Sequence, residues 1–167
     1  YFYFAVQVID DVFSQNYTGN QLNKGDSITI VFDTQLSDDI QIPFYNSDDY
    51  QIDFSPGNFS IAESFMNWPS NAPPRSVTIS STRQSNGYIL EASFPWYNFT
   101  NYIPGDEDVL GFTISILDTD HLESTELVVS SSKVFDFNNV STLGTIVLID
   151  AGDIQSVEEA DVEEDSE

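Results

Sequence analysis

Apolar residues recur at every second position along most of this chain, and that pattern alone removes most folds from consideration. Tyr50, Ile52 and Phe54 alternate with Gln51, Asp53 and Ser55, and Tyr88, Leu90, Ala92 and Phe94 alternate with Ile89, Glu91 and Ser93. Ile28, Ile30 and Phe32 are interleaved with Thr29 and Val31, Phe112, Ile114 and Ile116 repeat the pattern, and "TIVLI" at 145–149 closes the series. A period of two sends successive side chains to opposite faces of an extended chain, as in half-buried β-strands. Tyr1–Ile9 reads as one more strand. Between the runs lie "SQNYTGNQLNKGD", "FSPGN", "WPSNAPPR", "RQSNGY", "NYIPGDED" and "DTDHLEST", rich in Gly, Pro, Asn and Asp. Nowhere is a helical period of 3.6 sustained, although "PWYNF" at 95–99 suits a single helical turn. These features predict an all-β fold, an antiparallel β-sandwich of the jelly-roll or immunoglobulin-like kind.

The 167 residues suffice for one domain with a sizeable core, which 13 Phe and 8 Tyr can fill. With no cysteine, a disulfide framework, thiolate metal sites and a cysteine nucleophile are all excluded. A single histidine, His121, rules out a histidine-based triad and a multi-histidine metal site; it is expected in solvent, in the "DTDHLEST" loop. Twenty-eight acidic residues face four basic ones, a net charge of −24. Nucleic acids and anionic membrane surfaces are repelled by such a field, which leaves cations and neutral hydrogen-bonding ligands as partners. An acidic, lysine-poor surface also serves solubility. No stretch has the roughly 18 apolar residues of a membrane span, so membrane insertion is not expected. The first nine residues lack the basic start and cleavage site of a signal peptide. After Asp150 the segment "AGDIQSVEEADVEEDSE" combines few apolar residues with high charge, which predicts an acidic disordered tail or linker over 151–167.

Acidic pairs at strand ends supply a second constellation. Asp10 with Asp11, Asp48 with Asp49, and Asp118 with Asp120 offer the oxygen ligands that calcium needs, or else cap their own turns as Asx motifs. None makes an EF-hand pattern. Trp68 lies in the Pro-rich "FMNWPSNAPPR" and is read as a loop tryptophan, either a stacking platform for a ligand or a lid on the sandwich end. Paired carboxylates could in principle hydrolyse glycosides, but so many acids make any one pair uninformative. Sequons at Asn16, Asn58, Asn98 and Asn139 permit glycosylation without showing it.

The ordered phrases "YFYFAVQVIDD", "NKGDSITIVFD", "YQIDFSPGN", "GYILEASFPWYNF", "LGFTISILDTD" and "STLGTIVL" resemble carbohydrate-binding module family 9, with the DOMON-type sandwiches as more distant relatives. The resemblance covers about residues 1–149. It implies a module over 1–150 that lacks its N-terminal strand or strands, since family members carry one or more strands ahead of "YFYFAVQV". It further implies a non-catalytic module that binds polysaccharide or oligosaccharide, is covalently linked to neighbouring domains, and works outside the cell or at its surface. Structural calcium is common in the family. Sugar in the family is sandwiched by two loop tryptophans, whose positions read Asn23 and Phe137 here; the hydroxyl-reading strand glutamate falls at Thr29 and the arginine at Gln51. Gln51 and Phe137, with Asn138 nearby, and Trp68 are therefore the candidate ligand-binding residues, together with position Asn23. Because both stacking tryptophans are replaced, a structural or adhesive sandwich that has lost its sugar site is the alternative. A hydrolase or a haem-binding DOMON relative is a third, weakly served by one His and one Met, Met66. By the same resemblance Trp96 is a core residue.

Overall fold

The structure, a computed structural model, describes residues 1–37, 43–68, 76–99, 102–121 and 127–150, with the backbone alone described at 66–68 and 127. Among the described residues nine strands form: β1 (Phe2–Ile9), β2 (Ser27–Asp33), β3 (Asp49–Ser55), β4 (Ser64–Trp68), β5 (Thr78–Gln84), β6 (Gly87–Phe94), β7 (Val109–Asp118), β8 (Leu127–Ser130) and β9 (Gly144–Val147). They form two antiparallel sheets. The smaller runs β1-β6-β5; the larger runs β4-β3-β2-β7-β8, and β9 also pairs with β7. Short 3-10 turns at Gly19–Lys24, Trp96–Asn98 and Val140–Thr142 interrupt the connections. The expected β-sandwich is thus observed, and the turn foreseen in "PWYNF" is the second of these. Strands β4, β5 and β8 were not anticipated from periodicity. The acidic segment 151–167 lies outside the described residues.

The core forms where the alternating apolar sets of the two sheets meet. Val8, Tyr88, Leu90, Ala92 and Phe94 from the small sheet face Ile28, Ile30, Phe32, Tyr50, Ile52, Phe54 and Leu110 from the large one. Aromatic rings dominate one end. Phe32 sits 5.0 Å from Phe99 and 5.1 Å from Phe112, while Tyr50 and Phe99 approach to 4.7 Å. Edge-on and tilted contacts of this kind add to the gain from burial itself. Trp96 packs against the same cluster, as expected of a core tryptophan. The hairpin β5–β6 turns through Ser85 and Asn86 into Gly87, whose φ is +137°. A Cβ there would lie 2.0 Å from the Val8 carbonyl oxygen, so only glycine lets β6 enter its register beside β1.

The sheets differ in their outer faces. On the small sheet the outward positions of β1 are all exposed, as alternation predicts. On the large sheet, β2 is buried at every residue and β3 at all but one. The expectation of half-buried strands therefore fails for the central pair. The reason is a second, loop-built layer. The 3-10 turn Gly19–Lys24 packs on β2, β3 and β4, and inserts Leu22, which is 0% exposed. Buried Gln15 ties this layer together: its Nε2 donates to the carbonyls of Leu22 (2.9 Å) and Asp26 (2.8 Å), and its Oε1 accepts from the Tyr17 amide (2.8 Å). Further along, the Val140 amide donates to the Pro43 carbonyl (3.2 Å), joining two loops. Among the described residues no helix is long and apolar enough to cross a membrane.

Candidate functional site

Under that loop layer the large sheet presents polar residues where an ordinary core would be apolar. Asp53, Thr29, Ser115 and Ser130 lie side by side across β3, β2, β7 and β8. Asp53 and Thr29 are each 1% exposed. The Thr29 hydroxyl donates to Asp53 Oδ1 (2.6 Å), and Gln51 Nε2 donates to the same carboxylate at 3.0 and 3.2 Å. Burial pushes the Asp53 carboxyl above its ordinary range, and the bonds from Thr29 and Gln51 pull it partly back. The Ser115 hydroxyl, also buried, has no hydrogen-bond partner among the described residues, nor has that of Tyr45. Burial, reinforced by the charges of Asp49, Asp53 and Asp136, raises the Tyr45 phenol to about 12. Tyr45 thus stands among three carboxylates at the junction of the 43–48 loop with the loop that carries Asp136. Unmet hydroxyls beside satisfied carboxylates mark space for a polar ligand or water.

The sequence candidates surround this row. Gln51 belongs to it. Trp68 ends β4 as the cross-strand partner of Gln51, which corrects its assignment to the Pro-rich loop: the ladder with β3 extends to the residue before the first proline. At the other end Phe137 and Asn138, with Phe135 and Asp136, line a cavity of about 630 Å³ that Ser130 also borders. Phe137 is half-buried and packs edge-on against Phe135 at 4.7 Å. Asn138 donates from its backbone to Asp136 Oδ1 at 2.9 Å. Asn23 is exposed on the 3-10 turn over β2–β4. Periodicity gave no hint of Asp53, Ser115 or Tyr45. The available signal was the run of polar residues at every outward position of β3, Asp49, Gln51, Asp53 and Ser55, with Thr29 on β2 and Thr113 and Ser115 on β7.

The second constellation forms at one end of the sandwich, where β1 ends, β2 starts and β7 ends. Carboxylate oxygens of Asp10, Asp11 and Asp120 lie within 4.8 Å of one another, as do those of Asp10, Asp26 and Asp118. Asp10 is shared by both groups. Its Oδ1 accepts from the Val12 amide at 2.8 Å, an Asx turn, while its buried Oδ2 has no hydrogen-bond partner among the described residues. Asp120 Oδ1, the Thr119 hydroxyl and the Tyr88 hydroxyl are likewise buried and unpartnered. Tyr88 is 0% exposed, and its phenol is raised by burial and then by the charges of Asp26, Asp10 and Asp118, so the hydroxyl faces the cluster. Asp26 braces the site. It accepts from the Ser14 amide and, at 2.9 Å, from the Thr119 amide. Burial outweighs those bonds and, with the charges of Asp10 and Asp118, lifts its pKa to about 7. Oxygen-only donors with orphaned buried atoms fit a hard divalent cation such as calcium. Asp48 and Asp49 do not join them; they lie at the far end of β2–β3, where Asp49 pairs with Asp33 and accepts from the Asn46 amide (2.7 Å). His121 is exposed, as expected.

The carbohydrate family 9 binding domain-like family matches residues 1–151 of this sequence. The chain belongs to that family. Two solved structures share the fold of this family 9 chain. One is a carbohydrate binding module family 9 from Caldicellulosiruptor kristjanssonii in complex with glucose, 17% identical, with a TM-score of 0.62 over 92% of this chain and 73% of that one. The other is a module of the same family and organism in complex with cellotriose, 15% identical, with a TM-score of 0.56 over 93% and 74% of the two chains. No curated protein sequence matches the chain.

Proposed function

We propose that this family 9 domain is a non-catalytic carbohydrate-binding module, part of a larger secreted or surface protein, that holds its neighbours to a polysaccharide. The observation that carries the reading is the covered polar row Gln51–Asp53–Thr29–Ser115 with its unmet hydroxyls at Ser115 and Tyr45. Asp53 and Gln51 would read sugar hydroxyls, and Trp68 and Phe137, at opposite ends of the row, would supply apolar surface for a pyranose. That the two modules of like fold were solved with glucose and cellotriose supports a glucose-based ligand. Isothermal titration of xylan-, cellulose- and glucan-derived oligosaccharides tests this; absence of heat and of gel retardation with all three would sink it.

One observation favours the alternative of a structural or adhesive sandwich. Thr29 and Asp53 satisfy each other, and the family's two stacking positions hold Asn23 and Phe137. Failure of every saccharide to bind a stably folded chain would select that reading.

Calcium is proposed at the Asp10, Asp11, Asp26, Asp118 and Asp120 cluster, in a structural role. There it would neutralise carboxylates that otherwise repel one another and pin the loop after β1 to the end of β7.

A further inference from the structure

The outward face of the small sheet carries little charge. Strand alternation places Tyr3, Ser93 and Thr78 in one cross-strand row and Ala5, Glu91 and Ser80 in the next. Tyr3 is 72% exposed, and Tyr1, 61% exposed, lies beside it on the same face with ring centroids 5.9 Å apart. These six positions line an open groove of about 510 Å³, within the size range of small-ligand clefts, roughly 300–1,000 Å³. The next two outward rows, Gln7–Ile89–Thr82 and Ile9–Gly87–Gln84, hold no charge, so Glu91 is the one charged side chain among twelve positions, in a chain that is 19% charged with a net charge of −24.

We propose that this face is a second carbohydrate-binding surface, fitted to an uncharged polysaccharide chain laid across β1, β6 and β5. A near absence of charge on an otherwise acidic protein selects for a neutral partner, since polyanions are repelled by the surroundings and polycations would find better sites elsewhere. The lining is one or two aromatic rings among hydroxyls. Rings offer a stacking surface to the apolar face of a pyranose, and hydroxyls exchange hydrogen bonds with its rim. A protein interface would instead call for a contiguous apolar centre, which Ser80, Ser93 and Thr78 interrupt. Three strands about 4.8 Å apart make a platform about 10 Å wide, enough for one sugar ring and its substituents. This surface lies on the opposite side of the sandwich from the Gln51–Asp53 row and does not depend on it.

Affinity electrophoresis of the full chain in soluble xylan, mixed-linkage β-glucan and hydroxyethylcellulose, with depletion onto insoluble cellulose, separates the two sites. Tyr3→Ala is expected to weaken binding roughly five- to tenfold on at least one of these polymers, the loss of one stacking ring. Glu91→Gln should bind as well as the parent or better, and Ser80→Lys should interfere by blocking the groove. Tyr3 is exposed, so its removal leaves the core intact, and near-ultraviolet circular dichroism checks that. Retention of Tyr3→Ala equal to the parent on every polymer the parent binds overturns the proposal, as does a parent that binds none. If Trp68→Ala abolishes all binding while Tyr3→Ala abolishes none, this surface is refuted and the covered row stands. The converse result supports this surface and removes the other.

Discussion

Stripping divalent cations with a chelator should lower the melting temperature of this domain, and by more near pH 8 than near pH 5. Asp26 sets the scale. Its pKa rises from an ordinary 3.8 to about 7 because its carboxyl is buried and faces Asp10 and Asp118. That rise corresponds to about 4 kcal/mol for holding the group ionised in the folded protein. A raised carboxyl pKa means that the folded state binds a proton the unfolded chain releases. Its stabilising contribution is complete below 3.8 and is lost as the pH climbs to about 7. The cation-free protein should therefore weaken across that window. A bound calcium ion reverses the trend by favouring the ionised cluster. At a calcium concentration one hundred times the dissociation constant, linkage yields about 2.7 kcal/mol. For a domain of this size each kcal/mol moves the midpoint by about 2–4 °C, so the shift near pH 8 should be about 5–11 °C. Near pH 5 Asp26 must first give up its proton, and the shift shrinks. Asp10→Asn, which alters the carboxylate shared by both groups, should remove most of the calcium effect, and Asp48→Asn, at the far end of the sheet, should leave it intact. Scanning calorimetry with calcium and with chelator at both pH values measures all of this. Equal midpoints with and without calcium near pH 8 would refute the reasoning, because five carboxylates would then be held together by the fold alone.

Other perturbations probe the remaining elements. Trp68→Ala, beside Gln51, should weaken oligosaccharide binding about tenfold or more in titration calorimetry, since stacking anchors dominate such sites; unchanged affinity would clear Trp68 of the role. Asp53→Asn should raise the melting temperature at neutral pH and much less at pH 4, because the buried carboxyl, raised by desolvation, contributes favourably only while protonated; a gain independent of pH would assign the effect to packing. Gly87→Ala should cost at least about 2 kcal/mol in denaturant unfolding, since its φ of +137° and the Val8 carbonyl leave no room for a Cβ. Phe94→Ala, in the centre of the core, should cost about 3–5 kcal/mol by the same measurement.

Alternation at Ile28–Phe32, Tyr50–Phe54, Tyr88–Phe94 and Phe112–Ile116 revealed the inner faces of four strands, because a strand buried on one side must repeat with period two. β5 escaped notice: "TISSTRQ" is a polar strand with an exposed outer face, so its place is set by the hairpin through Gly87 and not by hydrophobicity. β4 and β8 are short edge or near-edge strands whose pairing depends on neighbours distant in sequence. Trp68 looked like a loop residue because the prolines after it are visible and the ladder before it is not.

The sites divide along the same line. Asp10, Asp11, Asp118 and Asp120 could be marked as strand-end acids, but nothing local ties residue 10 to residue 118. Their approach, and the recruitment of Asp26 and Tyr88, follow from β2 pairing with β7 and β1 with β6. Asp48 and Asp49 have the same local chemistry and end up elsewhere. Likewise Gln51 was identifiable through a family likeness, whereas Asp53 and Ser115 became candidates only when loops from residues 10–26, 43–48 and 131–143 were seen to roof an outer sheet face. By itself the sequence determined an acidic, cysteine-free β-sandwich with an aromatic core, because periodicity and composition act locally along the chain. Which carboxylates share a site, and which polar face is sealed and which left open, only the tertiary structure decided, because burial is a property of what packs on top and not of the strand beneath.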